Sequence, residues 1–282
     1  MIIIADSGST KTDWKIVGKE EPQMINTMGF NPVYHDDDLI YRETVKGYPE
    51  DFPFEEAEKV FFYGAGCWDK VRKETVAIAL RRAFKNATVE VDHDLLGAAR
   101  AACGKQPGIV CIIGTGSNSC LYDGELVIDN VTNLGYLVGD ESSGAFLGKE
   151  LIRTYFYREL PPDLVEAFED QYPGGKAAIL NNVYNKPQPN VYLASFTKFL
   201  SEHKDHIFIQ KLLYQGLSVF VDRHIRKYRS HFTLPVHFIG SVAFYFQNFL
   251  TVILQERDMQ PGIFLQKPID KLVEFHTAGK FN

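Results

Sequence analysis

Long apolar runs are missing from this sequence. The first, Met1 to Ala5, meets Asp6 at once, and no stretch of about 18 apolar residues follows. Neither a signal peptide nor a membrane-spanning helix is therefore expected. Cysteine is scarce. Cys67, Cys103, Cys111 and Cys120 form no C-x-x-C pair and have no histidine at zinc-ligand spacing, which speaks against a disulfide scaffold or a zinc site. Reduced thiols and a cytoplasmic location fit this usage. An excess of positive charge is missing as well. With 30 Lys and Arg against 36 Asp and Glu, the formal charge is −6 and the pI about 5.8. A nucleic-acid partner is therefore not expected, because such binding relies on clustered Lys and Arg. There is no Walker G-x-x-x-x-G-K-[ST] and no protein-kinase signature set. Asn86-Ala87-Thr88 matches a glycosylation sequon, but without a secretion signal it reads as accidental. What remains is ordinary globular composition, 45% hydrophobic and 23% charged, long enough for one large core or two smaller ones.

The pattern alternates strands with helices, which implies an α/β fold. An apolar strand at 2–5 runs into the Gly-rich turn DSGST (6–10) and then a second strand through Trp14, Ile16 and Val17. Residues 35–47 and 68–85 read as helices, the latter with Val71, Thr75, Ile78, Ala79 and Arg82 on one face, and 59–63 and 88–91 as strands. The opening pattern then returns. IVCII (109–113) leads to the turn GTGSN (114–118) and a strand at 119–124, so that Gly8-Ser9 and Gly116-Ser117 are separated by 108 residues. That spacing suggests duplication of a whole lobe, with lobes at 1–106 and 107–282 and a hinge near Lys105-Gln106-Pro107-Gly108. The second half is more helical: 143–158, 162–170, 174–184, 190–203 and 206–230, then a strand at 236–240, a helix at 242–256, a strand near 263–266 and a helix at 268–275.

A turn rich in Gly, Ser and Thr between two strands can aim several backbone N–H groups at one anion. A single such turn is more often a hairpin without function, but two of them, each opening a lobe, point to a phosphate clamp. Gly8 and Gly116 are expected to hold φ > 0 there. Asp6, at the end of the first strand, is either a turn-capping residue or an acid held through water near a phosphate-bound magnesium. In VDHDLLGAARAA (91–102), Asp92 or Asp94 is either a helix N-cap or a carboxylate able to orient and deprotonate an attacking hydroxyl. GDESSG (139–144) poses the same choice: Asp140, Ser142 and Ser143 cap a helix or face a polyol. GSV (240–242) is a strand-to-helix turn on which an adenosine can rest.

In this order, the segments resemble the N-acetylglucosamine kinases and the wider group of BadF/BadG/BcrA/BcrD-type ATPases in the actin/hexokinase/Hsp70 superfamily. IIIADSGSTKTDW is similar to that family's first phosphate hairpin, VDHDLLGAARA to its catalytic-aspartate helix and IIGTGSNS to its second phosphate hairpin. NLGYLVGDESSGAFLG resembles its sugar-binding turn and HFIGSV its adenosine motif. The resemblance implies a duplicated ribonuclease-H-like fold with the ATP site in the interlobe cleft, and ATP and Mg²⁺ as cofactors. It implies ATP contacts for Asp6, Gly8, Ser9, Thr10, Lys11, Gly114, Gly116, Ser117, Gly240 and Ser241, with Asp6 reaching the metal through water. Sugar contacts are implied for Asn31, Asp94, Thr115, Asn133, Leu134 and Asp140, with Asp94 as the base. Asn133 and Leu134 stand where mammalian members have Gly-Trp, so the aromatic platform there is lost. The family's terminal Gly-Ala-rich segment, with a last helix that packs back on the first lobe, is expected to be missing.

The activity so implied is transfer of the γ-phosphoryl group of ATP to a hydroxyl of an amino sugar, N-acetylglucosamine first. A homodimer is left open. Two alternatives stand beside it. One is a BadF-type ATPase that activates a reductase through an iron–sulfur cluster, which four scattered cysteines disfavour. The other is a sugar sensor without catalysis, which the intact Asp94 disfavours.

Overall fold

The computed structural model describes residues 1–8, 10–18 and 21–278. They form two compact units. The first takes in Met1–Gln106, the short segment Asp123–Val127 and the chain from Lys267 onward. Its sheet contains β1 (Ile2–Ser7), β2 (Lys11–Val17), β3 (Gln23–Met28), β4 (Lys59–Gly64) and β5 (Thr88–His93), in the order β3-β2-β1-β4-β5. β1, β2 and β3 form an antiparallel meander, while β4 runs parallel to β1 and β5 parallel to β4. β1 is central, and its apolar run is covered on both faces, so Ile2 through Ala5 are all buried.

Helices α1 (Asp37–Gly47) and α2 (Lys70–Ala83) pack over Ile3, Ala5, Trp14, Val60 and Phe62. The inward face of α2 differs from the expected one. Val76, Ala77, Ala79, Leu80 and Ala83 are buried, whereas Val71 and Ile78 are exposed. Both sets repeat at helical spacing, and the alanine-rich one lets the helix lie closer to the sheet. Arg82 turns outward to Asp38, 2.6 Å away. The opposite face of the sheet receives α3 (Asp94–Cys103), with Gly97 against Tyr63: a Cβ at Gly97 would fall 2.7 Å from the tyrosine side chain.

The second unit holds β6 (Gly108–Ile113), β7 (Ser117–Tyr122), β8 (Val127–Asp129), β9 (Pro235–Ile239) and β10 (Gln260–Leu265), in the order β10-β9-β6-β7-β8. The β6–β7 hairpin is antiparallel, and β9 and β10 continue in parallel. With β6, β7 and β8 in the places of β1, β2 and β3, the strand order is that of the first unit. The second unit thus repeats the first, as expected of a duplicated ribonuclease-H-like fold.

Between β8 and β9 the chain inserts α4 (Gly135–Val138), α5 (Gly144–Phe156), α6 (Pro162–Gln171), α7 (Gly175–Tyr184), α8 (Pro189–Ser195), α9 (Thr197–Glu202) and α10 (Ile207–Arg223). Between β9 and β10 lie α11 (Ser241–Tyr245) and α12 (Gln247–Gln255). The helices expected at 190–203 and 242–256 are each broken in two, at Phe196 and Phe246, both buried in the second core.

The last helix, α13 (Ile269–Thr277), packs on β1, β2 and α3. Two expectations are corrected by this. The chain from Lys267 onward belongs to the first unit rather than to one lobe spanning 107–282. A final helix that packs on the first unit is also present. The reason lies in pairs that no local pattern reveals: Lys15–Asp270 at 3.0 Å, Lys267–Asp13 at 2.9 Å and Tyr63–His276 at 2.8 Å.

Candidate functional site

Strand register brings Asn26, Asp13, Asp6, Tyr63 and Asp92 into one row across the first sheet, and residues directly opposite one another share a face. Asp6 has its carboxyl pushed up to about 7, by burial first and then by the negative charges of Asp94 and Asp13, against the pull of Lys267 and Lys11. Asp13 goes the other way. Burial alone would raise it, but the Lys11 and Lys267 ammoniums, each 2.9 Å away, together hold it low. Asn26 Nδ2 donates to it as well, at 2.6 Å. The Lys11–Asp13–Lys267 clamp is not legible in the sequence, since its third member comes from the far end of the chain.

Asp94 opens α3, but it is not the cap. His93 takes that place, its Nδ1 accepting from the Leu96 amide at 3.1 Å. Nor does Asp92 cap; it pairs with Lys73 at 2.7 Å and accepts from the His93 amide. The Asp94 carboxyl accepts from the Leu95 amide at 2.9 Å, and among the described residues no ion pair engages it. Burial lifts it to about 6, outweighing the backbone donors at the helix start. The capping choice for this residue is thereby removed, and a half-buried, readily protonated carboxylate remains.

Behind Asp94, α3 is fixed by a chain of polar contacts. Arg100 donates to the Tyr63 hydroxyl at 2.6 Å, and that hydroxyl lies 2.8 Å from His276 Nε2 on α13. Burial, assisted by Arg100 and Lys59, depresses His276 to about 4, so the neutral ring accepts the tyrosine proton. Tyr63→Phe keeps the ring but strands both partners. It is expected to cost about 1–3 kcal/mol, the usual penalty for an unmet buried polar group, and urea denaturation of the variant reads this directly.

Asn31 sits beside the loop after β4. Gly66, at φ +83, could not carry a side chain there, because a Cβ would fall 2.3 Å from Asn31 Oδ1. That oxygen also accepts from the Val33 amide at 2.9 Å. In the first hairpin the Gly8 amide donates to the Lys11 carbonyl, and the Thr10 carbonyl accepts from Gly29. Ser9 lies outside the described residues.

In the second unit the turn at 114–116 is closed by the Gly114 amide on the Gly116 carbonyl and tied to α5 by Gly144 N on Gly114 O. Among the described residues the Thr115 and Gly116 amides find no acceptor, so they are available to an anion. The expectation that Gly8 and Gly116 hold positive φ is corrected, since neither does. Gly116 is needed for a different reason: a Cβ would meet Asp140 Oδ2 at 3.0 Å. Asp140 itself has φ +53. It accepts from the Ser117 amide at 3.2 Å and from Asn133 Nδ2 at 2.8 Å, and does not cap α5; Ser143 does. Burial raises Asp140, against those two donors.

Asn133 also donates to the Ser117 carbonyl and accepts from the Gly135 amide. Its side chain is thus spent on holding Asp140 and the hairpin. Ser117 Oγ is buried and donates to the Glu141 carbonyl at 2.7 Å, so it reaches a ligand only by giving up that bond. Leu134 is exposed. Gly240, at φ +115, carries the chain from β9 to Ser241 at the exposed start of α11, where a Cβ would strike the Ile113 carbonyl. Glu141, unremarked in the sequence, anchors the turn through Arg223 at 2.8 Å and His224 at 3.1 Å.

Among the described residues no three His, Cys, Asp or Glu side chains come together as a metal cage. The Asp6 carboxyl, under the charge of Asp94 and Asp13, does fit a Mg²⁺ held chiefly by phosphates and water, because such an ion would relieve the repulsion among the three. Cys67, Cys111 and Cys120 are buried and Cys103 half-buried, a poor set for a cluster at the surface. Among the described residues no helix is long and apolar enough to cross a membrane.

No protein-family model and no curated protein matches the chain. Solved structures do. A Porphyromonas gingivalis protein provisionally described as an N-acetylglucosamine kinase is 38% identical with a TM-score of 0.93, over 99% of this chain and all of that one. A Chromobacterium violaceum protein of the same provisional description is 18% identical with a TM-score of 0.70, over 97% and 98%. A ROK-family glucokinase from Streptomyces griseus, in complex with glucose and AMPPNP, is 15% identical with a TM-score of 0.55, over 100% and 99%. The last two likenesses are of fold alone.

Proposed function

Because the chain belongs to the N-acetylglucosamine kinase family of the actin-like ATPase superfamily, we propose that it is an ATP-dependent sugar kinase acting on an amino sugar, N-acetylglucosamine foremost. The observation that carries this reading is Asp94, a half-buried carboxylate lifted to about 6 at the first position of α3, without a cationic partner among the described residues. A general base works best with a pKa near the operating pH, ionised yet able to take a proton.

In this reading Asp94 accepts a hydrogen bond from the attacking sugar hydroxyl, aims its lone pair at the γ-phosphorus and takes its proton as the new P–O bond forms and the bond to ADP breaks. The free amides of Thr115 and Gly116, and Lys11 with Lys267 in the first unit, offer donors to phosphate oxygens. Asp6 would hold Mg²⁺ through water, and the bound ion would offset phosphate charge. Asn31 and Asp140 supply acceptors for sugar hydroxyls, Asp140 being held in place by Asn133. ADP release measured over a panel of amino sugars tests the reading.

Asp140→Asn checks the sugar contact separately. Asn tolerates a positive φ at least as well as Asp, and its amide oxygen can still accept from Ser117 and Asn133. Stability is expected to change by under about 0.5 kcal/mol, while the sugar KM rises about tenfold as a charge-assisted bond to a hydroxyl is lost. A melting temperature that drops while KM stays fixed would return Asp140 to a purely structural role.

A further inference from the structure

The chain has two tryptophans. Trp14 is wholly buried in the first core, whereas Trp68 is 46% exposed. Exposure alone says little; what sets this indole apart is how firmly its surroundings hold it. Trp68 lies in the loop between β4 and α2, and that loop is pinned along its length. The Ala65 amide donates to the Ser7 carbonyl at 3.0 Å and the Cys67 amide to the Gly64 carbonyl at 3.3 Å. Asp69 caps α2 by accepting from the Arg72 amide at 2.9 Å. Gly66 packs against Asn31. The ring is held too, stacked on His93 with centroids 5.3 Å apart and planes 17° apart. His93 is itself fixed as the cap of α3 and immediately precedes Asp94. In the register, Gly64 at the end of β4 stands opposite His93 at the end of β5. The loop carrying Trp68 therefore leaves the sheet at the edge from which Asp94 emerges, where open α/β sheets bind their ligands.

We propose that Trp68 is a binding residue for the acceptor: a rigid aromatic platform on which the C–H face of a pyranose ring lies, beside Asn31 and Asp94. This rests on the reading of Asp94 as the base of a sugar kinase. A pyranose with equatorial hydroxyls presents axial hydrogens over its ring face, and that face suits the electron-rich indole surface, while Asn31 and Asp94 take the polar rim. A platform already stacked on His93 loses little side-chain freedom when it binds.

The tryptophan count makes the test direct. Trp14 is inaccessible, so acrylamide quenching of tryptophan emission reports Trp68. N-acetylglucosamine, glucosamine and glucose are titrated singly, and AMPPNP separately. At saturation the sugar that supports most ADP release is expected to shield the quenchable emission, while AMPPNP alone leaves it quenchable. Trp68→Ala is expected to raise the KM for that sugar about tenfold, the equivalent of one aromatic contact, with kcat and the KM for ATP nearly unchanged. Trp68→Phe is expected to recover most of the loss, which a merely structural role would not require. Unaltered quenching with saturating sugar, an unchanged sugar KM in Trp68→Ala, or shielding by AMPPNP but not by sugar would each overturn the proposal. If Trp68→Ala does not fold, the wild-type quenching and Trp68→Phe still decide it. Sugar-dependent ADP release without shielding removes this inference alone. Shielding by sugar without any ADP release keeps the platform and removes the kinase.

Discussion

Asp94→Asn is expected to lower turnover by roughly 10²–10⁴, the usual contribution of a general base. The amide keeps the shape of the carboxylate and can still accept from the Leu95 amide, so α3 has no reason to move. The affinity for ATP is expected to stay within about twofold, and the sugar KM to rise only modestly, because the amide oxygen remains an acceptor. Asp92→Asn is the internal control. Asp92 is occupied by Lys73 at 2.7 Å and lies on the outermost strand of the parallel edge, so its loss is expected to leave kcat within a factor of about two and to cost at most about 1 kcal/mol of stability. Steady-state kinetics on both variants separates the two aspartates. Equal, small losses in both would take Asp94 out of the reaction.

Asp6→Asn is expected to stabilise the ligand-free protein while abolishing most activity. The sign follows from the raised pKa. The folded state holds a proton on Asp6 up to about pH 7, whereas an unfolded chain releases it near pH 4. Between those values the native state binds more protons than the unfolded one, so this group's contribution to stability falls as pH rises from about 4 to 7 and stays low above. The neutral amide removes that loss. The variant is expected to exceed the wild type by roughly 2–4 kcal/mol at pH 8 and to match it near pH 4. His276 acts in the opposite sense, being depressed to about 4, so its contribution is complete above its unfolded value near 6.5 and is lost as pH falls toward 4. It is common to both proteins and cancels in the difference. Chemical denaturation at pH 4, 6 and 8 without nucleotide measures the effect; a variant less stable than wild type at pH 8 would mean that Asp6 is not held against its will.

What the sequence made legible was local. Each Gly-rich turn follows an apolar strand, so both hairpins and the duplication could be read from residues 2–17 and 109–122. Most helices were found within a few residues, since their apolar spacing is strong. The misreadings came where a second signal competed. In α2 two apolar stripes share the helical period, and only packing against the sheet selects the one through Val76 and Leu80. At 92–94 three polar residues offer themselves as cap, and His93 takes the role that Asp more often fills. The glycines of the hairpins looked like positive-φ positions, yet Gly116 is small for the sake of Asp140.

The parts of the site that were hidden depend on distance along the chain. Lys267 meets Asp13, and His276 meets Tyr63, only because α13 returns to the first sheet. Asn133 resembles a ligand contact in sequence, but in the fold it is an internal brace whose donors are occupied by Asp140 and the Ser117 carbonyl. Cross-strand alignment carries a further signal. Pairing 2–7 with 12–17 puts Asp6 opposite Asp13, which would have shown that the first hairpin carries a charge pair rather than a lone aspartate.

The most direct test of the account is ADP release by the purified wild-type protein with Mg²⁺ and ATP, measured with each of a panel of amino and neutral sugars and without sugar. Slow release is expected without sugar, with a strong increase on adding an amino sugar, largest with N-acetylglucosamine, and a phosphorylated sugar formed in equal amount to ADP. ATP hydrolysis that is indifferent to every sugar, or that yields ADP without a sugar phosphate, would contradict it.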